Sequence, residues 1–239
     1  MDNKVLQGFK RDFLVIKKKG FVLSNRSHDT GIGKTFENLI GIVENNNFLA
    51  DYERVLELKS SRELTKSMLT LFTKSPTNPP KVNSYLRERY GSPDLDAGGM
   101  KILHTTFSAL KFNTFVNKYG FKLEVDEKSR KVLLLVKDLA TNFETLREII
   151  EHKCQHIAFI SAESKKEDGK EYFKFDKAVL LKNLTFEKFV KALKEGIIVY
   201  DIRIGVYRSG KNKGKTHDHG SGFRVMKNNL SKVFDIEEI

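Results

Sequence analysis

The stretch DYERVLELKSS, residues 51–61, decides how this chain is read. Its expected strand, residues 55–59, puts Val55, Glu57 and Lys59 on one face and Leu56 and Leu58 on the other. A half-buried strand normally turns its apolar set to one side and leaves the other to water. Here an acid and a base stand two residues apart on a common face, and Asp51 lies just upstream. Two converging carboxylates can hold Mg²⁺, which takes oxygen ligands and keeps several waters. Such an ion polarises a phosphodiester and lowers the pKa of a bound water. A neighbouring lysine stabilises the developing charge and helps place the attacking water. Asp51 and Glu57 are therefore candidate metal ligands and Lys59 their catalytic companion. Charged alternation on an edge strand produces the same pattern with no chemistry behind it. Glu37, on the helix just before the strand, is close enough in a compact lobe to orient or assist the set.

Around this strand the pattern predicts an α/β chain with a mixed sheet. Leu6, Phe9, Phe13 and Ile16 form the stripe of a helix over 4–19 that Gly20 stops. A second helix is expected from about Lys34, with Phe36, Leu39, Ile40 and Val43 at helical spacing. Further strands are expected at 68–73, 102–107, 121–125, 132–137, 156–161 and 198–204, and short helices at 82–90 and 186–195. The segment KSPTNPPK, 74–81, holds three of the four prolines and reads as a loop. No internal repeat or low-complexity tract is visible.

Composition narrows the class. With 39% hydrophobic and 10% aromatic residues the 239-residue chain can bury a core, so wholesale disorder is not expected. The single cysteine, Cys154, excludes an intramolecular disulfide and fits a reducing cytoplasm. FLVIKKKGFVL, 13–23, is too short and too broken by lysines for a signal peptide, and VLLLV, 132–136, falls far short of a membrane span. A soluble, cytoplasmic protein that meets no membrane is expected. Forty-three Lys and Arg against 31 Asp and Glu give a formal charge of +12. That balance fits a polyanionic partner, nucleic acid being the common one, although a lysine-rich solvated surface would also produce it. Distribution favours the partner: Arg203 to Arg224 contains six basic residues and one acid among Gly, Ser and His.

Two further motifs need weighing. TGIGKTF, 30–36, suggests a phosphate-binding loop, but the position that needs its first glycine is His28, and no expected strand leads into it. The nucleotide reading is rejected. THDHG, 216–220, could place His217 and His219 on a metal. No second His or Cys pair stands at zinc spacing, so base contact in a groove competes with it, as does a solvated loop.

GIGKTFENL (31–39), LTLFTKSPTNP (69–79), RERYG (87–91), ILHTT (102–106), AFISAESK (158–165) and DIRIGVYRSGKNKGKTHDHGSGFR (201–224) together resemble one family. It is the MvaI/BcnI group of Type II restriction endonucleases, PD-(D/E)xK nucleases similar to the mismatch-repair nickase MutH. The family's interval between its two acids is one residue shorter than the five found between Asp51 and Glu57, which a bulge or loop adjustment would absorb. Residues 108–155 match poorly. The resemblance implies a restriction-endonuclease-like, MutH-like mixed β-sheet flanked by helices. One nuclease domain over 1–239 would carry a catalytic lobe mainly in 1–80 and a recognition lobe that includes 198–226, around a DNA cleft. It implies a monomer that hydrolyses double-stranded DNA with Mg²⁺ at a five-base-pair CC-N-GG type site, the A/T centre favoured, and a cognate methyltransferase in the same host. By motif, Asp51, Glu57, Lys59 and Glu37 would be catalytic. Asp201, Arg203, Tyr207, His217, Asp218, His219 and Arg224 would read bases and phosphates, with Lys74 and His104 also facing the duplex. Arginine pairs naturally with guanine and aspartate with cytosine N4. Lys211, Lys213 and Lys215 would hold phosphates, giving affinity without sequence information. A MutH-like nickase that needs a partner and a non-catalytic DNA-binding protein are the competing classes.

Overall fold

The structure, a computed structural model, describes residues 2–42, 49–63, 67–114 and 120–239. In chain order the first elements are α1 (Asn3–Lys17), β1 (Phe21–Leu23), α2 (Gly31–Leu39), β2 (Glu57–Arg62), β3 (Met68–Thr73) and α3 (Val82–Tyr90). Then come β4 (Ser92–Pro93), β5 (Lys101–Phe107), β6 (Phe121–Asp126), β7 (Lys131–Val136), β8 (Leu139–Asn142) and α4 (Leu146–Lys153). The chain finishes with β9 (His156–Glu167), β10 (Lys170–Lys182), α5 (Phe186–Lys194), β11 (Ile198–Val206), β12 (Thr216–Asp218), β13 (Gly222–Met226), α6 (Leu230–Val233) and β14 (Asp235–Glu238). This is the mixed α/β arrangement expected, with several sheets and flanking helices. None of the described helices is long and apolar enough to cross a membrane.

The chain divides into two compact units, and neither is continuous in sequence. The first comprises Met1–Leu69, Arg147–Thr185 and Val233–Ile239. Its sheet runs β1-β10-β9-β2, with β14 also on β10, and β2 lies parallel to β9 in a sheet otherwise antiparallel. Phe9 and Phe13 of α1 and Phe36 of α2 are buried on its face with Leu56, Leu58, Phe173 and Phe175. Phe36 and Phe175 stand 5.2 Å apart, and Tyr52 meets Phe9 edge-on at 5.6 Å. The helical stripe of α1 is therefore the sheet's cover.

The second unit comprises Thr70–Leu146 and Phe186–Lys232. Its main sheet runs β3-β13-β11-β5-β4, β12 continues alongside β11, and β6-β7-β8 forms a separate antiparallel sheet. Phe223 is at the centre of its core, with ring centroids 5.0, 5.1 and 5.2 Å from those of Tyr200, Phe143 and Phe72, and Phe143 lies 4.9 Å from Tyr200. Gly222 lets β13 approach β3: a Cβ there would sit 2.4 Å from the Phe72 carbonyl oxygen.

The structure departs from the sequence expectations at the edges of elements and also adds elements that no pattern announces, among them β1, β8, α4, β12, β13 and β14. α2 begins at Gly31 rather than near Lys34, and the expected helical position Val43 falls outside the described residues. The strand expected at 55–59 starts at Glu57, because residues 52–55 are used in a turn. β10 was not anticipated: KEYFKFDKAVLLK mixes charge and aromatics, a pattern that becomes regular only when paired along β9.

Candidate active site and nucleic-acid interface

The turn before β2 explains how the first constellation forms. Tyr52 N donates to Leu56 O at 2.9 Å and Leu56 N returns to Tyr52 O at 3.1 Å. The residues between include Glu53 and Arg54 at φ 50° and 61°. Left-handed backbone at two non-glycine residues costs about 1–2 kcal/mol each. What it accomplishes is visible next door: Asp51 is folded back so that its Oδ2 accepts from the Leu58 amide at 3.0 Å. The longer Asp51–Glu57 interval is thus taken up by a tight turn, and the carboxylate still reaches the strand.

Glu57 and Lys59 share one face of β2, as the alternation predicts. Lys59 Nζ donates to Glu57 Oε1 at 2.6 Å. Glu57 is 4% exposed, and its other oxygen, Oε2, is buried with no hydrogen-bond partner. Burial alone would lower the Lys59 pKa. The charge and hydrogen bond of Glu57, and then the charge of Asp51, outweigh it and hold the ammonium above the ordinary lysine value. Lys59 is a fixed cation here. Glu37 sits on α2, which packs against β2.

Two neighbours were not found from sequence. Lys153, at the end of α4, brings Nζ to 4.0 Å from Glu57 Oε2. Cys154 is fully buried beside the pair, and burial, more than any charge, pushes its thiol up to about 12. Both lie in the segment that carried no family pattern, so no motif could have flagged them.

The residues fit a divalent cation held by carboxylates. Glu57 offers an orphaned buried oxygen, and Asp51 commits one oxygen to a backbone amide. No group of three His, Cys, Asp or Glu side chains suited to a metal is present among the described residues. A cation that keeps most of its waters needs no such cage.

In the second unit the sequence candidates gather around a break in the ladder. β12 pairs with 204–206 of β11 and β13 with 198–201, leaving residues 219–221 opposite Ile202 and Arg203. There Arg203 N donates to Ser221 Oγ at 2.8 Å and His219 N donates to Arg203 O at 2.8 Å. An extra residue in one strand bends it and re-aims its side chains. Tyr207 stacks on His217 at 4.2 Å, His217 meets His219 at 4.3 Å, and His219 meets His104 at 6.3 Å. His104 in turn lies across the strand pair from Arg203. Burial, followed by the nearby cations and imidazoles, holds His104 and His219 below the ordinary histidine value.

The two acids of this region are committed inside the protein. Asp201 Oδ1 accepts from Thr106 Oγ1 at 2.8 Å, while Oδ2 meets Arg203 Nε at 2.7 Å and Arg224 Nε at 3.0 Å. Burial lowers the Arg224 guanidinium pKa, opposed by Asp201. Asp218 accepts from Ser75, Asn83 and the amides of Gly220 and Ser221. What these carboxylates do directly is hold the arginines and the turn. Arg203, by contrast, keeps its side chain half exposed. Lys74 Nζ reaches Thr145 Oγ1 at 3.0 Å, and its backbone amide donates to Ser221 O. Lys211, Lys213 and Lys215 are exposed along the 207–215 loop, which closes through Tyr207 N to Lys215 O and Gly214 N to Tyr207 O.

With this geometry in hand, comparison with known proteins is specific. A solved structure described as "Restriction endonuclease MvaI-cognate DNA substrate complex" superposes with a TM-score of 0.91 at 38% identity, covering 100% of this chain and 99% of that one. "Restriction endonuclease MvaI in the absence of DNA" gives 0.62 at 37% identity over the same shares. No curated protein matches the chain. A profile of the MvaI/BcnI restriction endonuclease family matches residues 11–234. This chain, with its Glu57–Lys59 strand and its Arg203–His219 cluster, belongs to the MvaI/BcnI restriction endonuclease family.

Proposed function

We propose that the protein is a Mg²⁺-dependent Type II endonuclease that binds double-stranded DNA and hydrolyses it at a five-base-pair CC-N-GG type site, with an A/T centre. The observation that carries this reading is the buried Glu57, paired through one oxygen with Lys59 and orphaned at the other, beside Asp51. Asp51 and Glu57 would hold the cation, which when bound supplies Lewis acidity at the phosphate and a water of lowered pKa. Lys59 stays protonated and offers its hydrogens to the attacking water or to a phosphate oxygen as negative charge builds. Water's oxygen bonds to phosphorus, its proton goes to solvent or a nearby base, the bond to the leaving oxygen breaks, and that oxygen takes up a proton from solvent. Glu37 supports the set from α2.

The first unit would thus carry cleavage and the second recognition. Arg203 and Arg224 would face guanine edges, oriented by Asp201. Tyr207, His104, His217 and His219 would line the read-out surface, braced by Asp218. Lys74, Lys211, Lys213 and Lys215 would take phosphates. A cognate methyltransferase in the same host would protect its DNA without binding this chain.

The described residues contain one Asp/Glu/Lys constellation, so two strands require two events. A five-base-pair site has a base pair rather than a step at its centre, so a monomer can engage it in either orientation. The protein would nick one strand, reorient or rebind, and nick the other. Supercoiled plasmid with one site should pass through an open-circle form before becoming linear, and sedimentation should give about the 27.5 kDa of one chain, plus DNA. Direct conversion to linear product by a stable dimer would overturn the monomer mechanism.

A further inference from the structure

Glu57 has a second lysine against it. Lys153, the last residue of α4, places Nζ 4.0 Å from Glu57 Oε2, with its side chain 23% exposed and that of Glu57 5%. The separation is too long for a hydrogen bond, and Oε2 has no other partner although it is buried. Lys59 meanwhile occupies Oε1 and also feels Asp51. Asp51, Glu57, Lys59 and Lys153 therefore carry no net formal charge among the four of them.

We propose that Lys153 is a positioning residue that couples cation binding to DNA binding: it holds down the affinity of the free protein for a divalent cation until a DNA phosphate arrives. The proposal rests on the reading of Glu57 and Lys59 as the cleavage site. Four groups of zero net formal charge offer a cation little attraction, and Lys153 stands beside the open oxygen of Glu57. An incoming phosphate supplies an anion for Lys153 to pair with. The carboxylates then outweigh the remaining ammonium, and Oε2 faces the cation without a competing charge. Cation and duplex consequently strengthen each other's binding, a coupling that must be reciprocal. An ammonium serves this role because it is a compact charge on a flexible stem, able to turn from carboxylate to phosphate.

The test uses the full chain without DNA and Mn²⁺ as the probe, followed by titration calorimetry. Lys153→Met should bind Mn²⁺ about tenfold more tightly than the wild type, the scale set by removing one unit charge a few ångströms away. Lys153→Arg, which keeps the charge, should bind Mn²⁺ like the wild type, and Glu57→Ala added to Lys153→Met should abolish the gain. In cleavage, Lys153→Met should reach half its maximal rate at a lower Mg²⁺ concentration but with a lower maximum. Mn²⁺ binding by Lys153→Met no tighter than wild type would overturn the proposal. If the wild type still cuts DNA in that case, only the coupling fails. A wild type that cuts no DNA removes the reading beneath it.

Discussion

Asp201 and Arg203, two residues apart on β11, are joined by a 2.7 Å hydrogen bond from Arg203 Nε to Asp201 Oδ2, and the same oxygen lies 3.0 Å from Arg224 Nε. One buried carboxylate thus aims Arg203 by a hydrogen bond and lies in ion-pair contact with the buried Arg224, whose Nε makes no hydrogen bond. Strand neighbours at i and i+2 share a face, so the aspartate can set the plane of the guanidinium beside it. Its second oxygen is fixed by Thr106, which limits rotation. Fixing the donors beforehand is what makes a bidentate reader selective rather than merely cationic.

Asp201→Asn should therefore weaken cognate DNA binding about 10- to 100-fold, in line with one or two poorly aimed guanine contacts, while scrambled duplex binds nearly as before. Lys213→Ala should behave differently, weakening both duplexes alike and reducing the salt dependence of binding by about one counterion. Binding titrations on both duplexes across a salt series separate the two outcomes. Equal losses on cognate and scrambled DNA for Asp201→Asn would deny it the orienting role.

Gly205 makes room for an imidazole. A Cβ at this position would lie 2.6 Å from His219 Nε2, so Gly205→Ala should push the ring away from His217 and His104. The expected result is a folded protein with normal far-ultraviolet dichroism, retained non-specific DNA binding and at least about tenfold weaker cognate binding. Unchanged cognate affinity would show that the position of His219 does not matter to recognition.

The histidines predict a pH trend. His104 and His219 both have lowered folded-state pKa values, chiefly through burial. The unfolded chain therefore takes up protons first as pH falls below the ordinary histidine value near 6.5. The stability these groups contribute is fully present above that pH and is lost as pH falls towards their folded values. Melting temperature should drop between pH 7.5 and 5.5, and should drop less in the double variant His104→Gln, His219→Gln. An equal drop in both proteins would place the pH dependence elsewhere.

Much of this was legible in the sequence because it depends on local period and punctuation. The stripe of Phe9, Phe13 and Ile16 marks α1, and the alternation of MLTLFT coincides with β3. The shared face of Glu57 and Lys59 follows from the strand period alone. Other features depend on chain segments meeting across long separations. The Glu53–Arg54 turn that returns Asp51 to Leu58 is made of residues that carry no turn signature. Lys153 reaches Glu57 only because α4 delivers it beside β2's partner strand. Likewise, that Asp201 and Asp218 face inward could not be read from DIRIG or THDHG. Their partners Thr106, Ser75 and Asn83 come from elsewhere in the second unit.

In the mechanism proposed above, the Glu57–Lys59 pair serves DNA cleavage at a defined site. The most direct measurement is digestion of a fully mapped plasmid by the purified wild type, Glu57→Ala and Lys59→Ala with Mg²⁺, followed by sequencing of the ends. Loss of the carboxylate or of the ammonium should slow cleavage by at least about 100-fold, the scale of one lost electrostatic contact in a transition state, while cognate binding by both variants stays within a few-fold of wild type. Wild-type ends should all fall within CC-N-GG sites with A or T at the centre. Cleavage by Glu57→Ala at near wild-type rate would contradict the account of the active site, and wild-type ends scattered without a common sequence would contradict the account of recognition.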